Sequence, residues 1–121
     1  MSKRILAVDD QEDNRRILRD LLTSAGYEVI EATTGEDAVA LADAQPFDLI
    51  LMDIQLPGID GYEATRRIKA NPRLRQIPLI VVTSYALSGD DAKAFGAGAN
   101  AYVSKPFSPR ALLAKVREYI G

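Results

Sequence analysis

The 121-residue chain contains no cysteine and no histidine. Without cysteine there are no disulfides and no thiolate chemistry, and a reducing compartment suits it. Without histidine there is no imidazole acid–base catalysis, no imidazole metal ligand and no phosphohistidine on this chain. An excess of basic charge is missing as well. Fifteen Lys and Arg stand against seventeen Asp and Glu, a net charge of −2, so the chain has no electrostatic footprint for direct nucleic-acid binding. Long apolar runs are also absent. Met1-Ser2-Lys3-Arg4 leads directly into an apolar stretch of about four residues, too short for a signal or membrane-spanning segment. These absences predict a cytoplasmic protein with no direct contact to membrane or nucleic acid. What is present, 47% hydrophobic and 26% charged residues, is the profile of a folded domain, and residues 1–121 fit one domain of ordinary size.

Ile5-Leu6-Ala7-Val8 is an apolar run ending in Asp9-Asp10, and Leu49-Ile50-Leu51-Met52 is another ending in Asp53, followed at once by Pro57-Gly58. Uninterrupted apolar runs bounded by turn residues read as strands buried on both faces. Ile77-Pro78-Leu79-Ile80-Val81-Val82 is a further such strand running into Thr83-Ser84, while Tyr27 to Glu31 and Asn100 to Val103 read as shorter strands, the former partly exposed. Between them, Ile17, Leu18, Leu21 and Leu22 recur at helical spacing over roughly 13–25, with Gly26 as the stop. Thr33-Thr34-Gly35-Glu36 starts a second helix whose inner face is Ala38, Val39, Leu41 and Ala42, ended near Ala44 by Pro46. Asp60 caps a third helix through about Ala70, ended by Asn71-Pro72. A fourth, about 88–97, is a poor helix interrupted by glycine, with Phe95 as its only large apolar residue. Ser108-Pro109 opens the last helix, where Leu112, Leu113, Val116 and Ile120 share a face.

Five βα alternations predict an α/β fold: a doubly wound, five-stranded parallel sheet with helices on both faces. Periodicity does not fix the strand order; for this length the flavodoxin-like order 2-1-3-4-5 is expected. Sites in such sheets lie beyond the carboxyl ends of the strands. The residues delivered there are Asp9 and Asp10 from the first strand, Asp53 from the third, Thr83 from the fourth and Lys105 from the fifth. Taken singly, a strand-end Asp is as often a helix cap, a strand-end Thr is commonplace, and Lys-Pro is a turn. Together they place three carboxylates, a hydroxyl and one ammonium on one rim. One lysine cannot neutralise three acids, so a proton or a cation must. A hard divalent ion with oxygen ligands is the natural complement, and Mg2+ suits one or two direct carboxylates plus waters and a phosphate. Asp53, held between a metal and a lysine, is then a candidate nucleophile toward phosphorus, with Thr83 and Lys105 available to phosphoryl oxygens.

Asp9-Asp10, the segment from Leu51 to Gly61, Val82-Thr83 and Ser104-Lys105-Pro106-Phe107 together resemble the signature of the CheY-like receiver domains of two-component response regulators. The resemblance runs over the whole chain. It implies that Asp53 accepts a phosphoryl group from a phosphohistidine on a sensor histidine kinase or histidine phosphotransfer protein. It implies Mg2+, replaceable by Mn2+, held by Asp10, Asp53 and the backbone carbonyl of Gln55, with Asp9 acting partly through water. It also implies a cis peptide before Pro106. Thr83 and Tyr102 would move together on phosphorylation, reshaping the face around helix 4, strand 5 and helix 5. Gln55 and Tyr85 would tune hydrolysis of the phosphoryl group. Such a domain is a switch rather than an enzyme, catalysing only its own phosphorylation and dephosphorylation. Its output would be a downstream protein or an effector domain outside this chain, and a dimer formed on phosphorylation is compatible with it. The wording around Asp53 is similar to DivK-type single-domain receivers and to those attached to hybrid kinases.

Two other classes compete. Phosphohydrolases of the haloacid-dehalogenase type want a second Asp two residues after the nucleophile, where this chain has Gln55. A flavin-binding module wants a Ser/Thr/Gly-rich phosphate loop after the first strand, where Asp9-Asp10-Gln11-Glu12-Asp13 would repel a phosphate.

Overall fold

The apolar run after Arg4 becomes the first of five parallel strands. The computed structural model describes residues 2–83 and 90–121. In chain order the elements are β1 (Arg4–Val8), α1 (Glu12–Ser24), β2 (Glu28–Ala32), α2 (Gly35–Ala44), β3 (Leu49–Asp53), α3 (Gly61–Ala70), β4 (Leu79–Thr83), α4 (Asp90–Gly96), β5 (Ala101–Ser104) and α5 (Pro109–Ile120). The sheet order is β2-β1-β3-β4-β5 with every neighbouring pair parallel, the order expected from length and alternation.

Side chains alternate across the sheet and feed two cores. Leu6, Val8, Ile50, Met52, Leu79 and Val81 meet Ala38 and Ala42 of α2, Ala64 and Ile68 of α3, and Ala94 of α4. Ile5, Ala7, Leu49, Leu51, Ile80 and Val82 meet Leu18 and Leu22 of α1 and Leu112 and Val116 of α5. β1, β3 and β4 are therefore covered on both sides, which is why their sequences are continuously apolar. The edge strands β2 and β5 are only partly buried. Among the described residues no helix is long and apolar enough to cross a membrane.

The helix signals in the sequence correspond to observed caps. Thr34 Oγ1 accepts from the Asp37 amide at 3.0 Å, Asp60 Oδ1 from the Glu63 amide at 2.9 Å and Ser108 Oγ from the Ala111 amide at 3.3 Å. Each satisfies a donor that the first helical turn leaves unpaired. At the other end of α1, Gly26 takes φ +96°, and the amides of Gly26 and Tyr27 donate to Thr23 O and Leu22 O, a Schellman closure.

Several expectations shift. The Tyr27 amide is committed to α1, so β2 begins at Glu28 and Tyr27 packs in the core instead. The Ile77 amide closes a turn onto Leu74 O and Pro78 has no amide hydrogen, so β4 begins at Leu79. β5 is displaced by one residue to include Ser104, which pairs with Thr83. Ile17, read at helical spacing with Leu18, Leu21 and Leu22, is 54% exposed; Leu18 and Leu22 are buried against the sheet and Leu21 packs beside them. Phe95 likewise points outward at 51% exposure, and α4 is anchored by the small Ala94.

Candidate functional site

β1 and β3 are adjacent and in register, Val8 opposite Met52, so the residues that leave their ends, Asp9 and Asp53, emerge side by side. Asp53 pairs with Val82 of β4, and Thr83 with Ser104 of β5. The ladder runs one residue further, the Lys105 amide donating to Thr83 O at 2.6 Å. The parallel sheet thus brings Asp9, Asp10, Asp53, Thr83 and Lys105 to a single rim. β2 ends in Ala32 and contributes no charge there.

Lys105 Nζ lies 2.8 Å from Asp9 Oδ2 and 3.7 Å from Asp53 Oδ2. The lysine expected to serve Asp53 thus makes its short contact with Asp9 and a longer one with Asp53. One oxygen each from Asp9, Asp10 and Asp53 can be chosen within 4.8 Å of one another. Asp9 and Asp53 are buried, 1% and 6% exposed, and Asp10 is open to solvent. Asp9 is not the helix cap considered for a strand-end acid, since Gln11 stands at the N-cap of α1; its Oδ1 instead closes an Asx turn, accepting from the Gln11 amide at 2.9 Å, and lies 3.4 Å from Asn14 Nδ2.

Burial pushes the Asp53 carboxyl up from its ordinary 3.8 to about 6. Lys105 pulls it down, the Asp9 charge raises it, and the Ile54 and Gln55 amides favour the ionised form. The Ile54 amide donates to Asp53 Oδ1 at 2.8 Å. Three clustered acids facing one ammonium leave negative charge uncompensated. An exposed carboxylate beside two buried ones therefore gives a donor set that fits a hard, partly hydrated divalent cation.

The β3–α3 loop is held tightly below Asp53. Ile54 O accepts from the amides of Leu56 at 3.1 Å and Gly61 at 2.8 Å, making Gln55 the middle of a three-residue turn. A Cβ at Gly61 would lie 2.1 Å from Asp53 O, so only glycine admits this approach. Thr83 is fully buried at its strand end. Tyr102, half-buried opposite Val81, packs on the α2–α3–α4 side of the sheet. The Lys105–Pro106 peptide is cis. Tyr85 lies outside the described residues.

Two contributors were not singled out in the sequence. Gly61 entered only as the last residue of the Leu51–Gly61 segment, and its contact with Asp53 depends on a three-dimensional approach that no spacing encodes. Arg15 donates from Nη1 to the Asp9 backbone oxygen at 2.8 Å, yet in sequence it is one arginine in a mixed-charge run. Beside the acids, Asn14, Ile17 and Leu18 of α1 and Lys105, Pro106, Phe107 and Pro109 line an open, mostly apolar groove of about 500 Å3.

The response regulator receiver domain family matches residues 5–117. The chain is 41% identical over 121 residues to the polar-differentiation response regulator DivK of Brucella ovis, covering all of this chain and 98% of that one. Among solved structures, the receiver domain of sensor histidine kinase PA1611 from Pseudomonas aeruginosa PAO1, with magnesium coordinated in its active site cleft, is 40% identical. Its TM-score is 0.93, with coverage of 100% of this chain and 99% of that chain. Response regulator TrrA from Thermotoga maritima, in complex with Mg2+ and BeF, is 33% identical at a TM-score of 0.89, covering 98% and 99%. A fold of this strand order, carrying an acid cluster at the carboxyl ends of β1 and β3 and matched along its length by these relatives, places the chain in the CheY-like receiver domain family of two-component response regulators.

Proposed function

We propose that residues 1–121 form one receiver domain in which Asp53 is the phosphoacceptor of a two-component or phosphorelay system. The observation that carries this reading is the placement of Asp53: buried at the end of a central strand, beside Asp9 and Asp10 and within 3.7 Å of Lys105. A carboxylate oxygen of Asp53 attacks the phosphorus of a phosphohistidine, the P–N bond breaks, and the imidazole leaves with its electron pair and takes up a proton. Such transfer depends on positioning and charge neutralisation more than on covalent chemistry by the protein. Asp10, Asp53 and the Gln55 carbonyl would hold Mg2+, or Mn2+ in its place, with Asp9 in support. Bound there, the ion neutralises phosphoryl and carboxylate oxygens.

The chain's own residues do the rest. Lys105 swings its ammonium between Asp9 and an incoming phosphoryl oxygen, and Thr83 donates its hydroxyl to another. The added charge of about −1.5 to −2 biases the switch through these contacts, since a ligand shifts a two-state equilibrium only by its differential interaction with the states. Tyr102 follows Thr83, and the change is read on the face of α4, β5 and α5 by a partner protein, a second copy or an effector domain. Gln55 and Tyr85 tune hydrolysis. The donor is a sensor histidine kinase or histidine phosphotransfer protein in the cytoplasm. The domain turns over no external substrate.

Incubation of wild type and Asp53→Asn with acetyl phosphate and Mg2+ tests the assignment. Wild type gains one phosphoryl group by intact mass and the variant gains none; labelling of the variant at the wild-type rate would remove Asp53 from the role.

A further inference from the structure

Arg15 stands beside the acid cluster with its side chain only 12% exposed, and the phosphoryl chemistry makes no use of it. Its guanidinium is divided among three elements. Nη1 donates to the backbone oxygen of Asp9 at 2.8 Å, Nη2 to Glu12 Oε2 at 2.5 Å, and Nε lies 3.3 Å from Glu31 Oε1 on β2. The second oxygen of Glu31 accepts from Arg19 Nη1 at 2.9 Å, so Glu31 itself is held from α1. The result is a planar fork fixed at its far side by two carboxylates and aimed with an Nη1–H at one carbonyl.

That carbonyl is the Asp9–Asp10 peptide. On one side of it Asp9 is already fixed, its amide donating to Ala32 O at 3.1 Å and its carboxylate accepting from Lys105 Nζ and the Gln11 amide. On the other side Asp10 is exposed. Its carboxylate direction therefore depends on how the peptide plane before it is turned. We infer that Arg15 is a positioning residue: it locks the Asp9–Asp10 peptide in the orientation that presents Asp10 together with Asp9 and Asp53 to a divalent cation. This rests on reading those three acids as the Mg2+ site. Groups that orient metal ligands without touching the metal commonly govern affinity. Lysine, a point charge without the planar fork, does not replace arginine in such a role.

The sign of the effect separates positioning from charge. A guanidinium near the cluster repels a dication, so if charge were its only influence, Arg15→Met would tighten Mg2+ binding and Arg15→Lys would leave it unchanged. Positioning predicts that both variants weaken it, by roughly tenfold to a hundredfold, the usual cost of losing a group that orients a metal ligand. The experiment is an NMR titration of the metal-free protein with MgCl2, following the Asp10 amide, with melting temperatures recorded in parallel. Before any metal is added, the Asp10 amide signal moves in both variants, because its own peptide has lost a hydrogen bond. Arg16→Met is the control: Arg16 faces Asp13 at 3.4 Å with its side chain 60% exposed, and its loss leaves the Asp10 signal and the Mg2+ affinity as in wild type. A purely structural Arg15 would lower the melting temperature and leave Mg2+ affinity alone, which overturns the inference; so does tighter binding in Arg15→Met. If Arg15→Met does not fold, Arg15→Lys decides alone, and unchanged affinity in it overturns the inference. Wild-type protein that binds no Mg2+ at this cluster would overturn the site reading along with it.

Discussion

Asp53 is held in a place that charges it reluctantly, and this has a measurable sign. Its carboxyl is pushed up from 3.8 to about 6, chiefly by burial. Between those values the folded chain keeps a proton that the unfolded chain has released, so in metal-free protein stability falls as pH rises through this window. Two pH units set an upper limit of about 3 kcal/mol. Asp53→Asn removes that cost while Lys105 keeps Asp9, so the variant is expected to exceed wild type in stability by about 1–3 kcal/mol at pH 8. The gap closes below about pH 4. Urea unfolding at a series of pH values without Mg2+ checks this, and equal stabilities at pH 8 would contradict it. The nucleophile must be ionised, so phosphorylation by acetyl phosphate should rise with pH around a midpoint near the Asp53 value at low Mg2+. That midpoint should fall as Mg2+ saturates, because a nearby cation favours the carboxylate.

Among the elements, those whose partners are close in sequence were legible. The central strands announce themselves as unbroken apolar runs, and Thr34, Asp60 and Ser108 cap the helices they were expected to start. The strand-end acids and Lys105 were legible for the same reason: β-strand ends in a parallel sheet share one rim whatever the loop lengths. What the sequence conceals is contact across the fold. Tyr27 looks like a strand residue until its amide is seen closing α1, and Ile17 reads with Leu18, Leu21 and Leu22 until it is found exposed. Gly61 is the sharpest case. Its hypothetical Cβ would overlap Asp53 O, so Gly61→Ala must shift either α3 or the end of β3. The expected cost is about 1–3 kcal/mol with phosphorylation slowed several-fold beyond what unfolding explains, measured at a temperature where the variant remains folded. Asn100, at the opposite end of the sheet, gives the contrast. Its Oδ1 accepts from Lys69 Nζ and the Leu79 amide, each at 2.9 Å. Asn100→Ala is expected to destabilise by about 1–2 kcal/mol and to leave the phosphorylation rate of the folded protein as in wild type.

For the whole molecule, the two ends of the sheet divide the labour. At the amino ends Asn100 ties α3 and β4 through its side chain and α5 through its backbone oxygen, which accepts from the Tyr119 hydroxyl at 3.0 Å, while the carboxyl ends gather charge that the described residues do not neutralise alone. Mg2+ should therefore stabilise the native state, by about 2.7 kcal/mol at a hundred times its dissociation constant. Thermal unfolding with and without Mg2+ measures this, and the increment should shrink sharply in Asp10→Asn. The proposed output is likewise a property of the assembled fold, since Tyr102 would report on Thr83 across the adjacent strands β4 and β5. Tyr102→Trp is expected to change fluorescence on phosphorylation, and an unchanged signal would separate Tyr102 from the switch.

The account turns on where the phosphoryl group is attached. Borohydride reduces an aspartyl phosphate to homoserine, which marks the acceptor permanently. Protein treated with acetyl phosphate and Mg2+, reduced, digested and sequenced by tandem mass spectrometry should carry homoserine in place of Asp53 and unmodified aspartate at positions 9 and 10. Homoserine at Asp9 or Asp10 with Asp53 intact, or no reduction product at any aspartate, would contradict it.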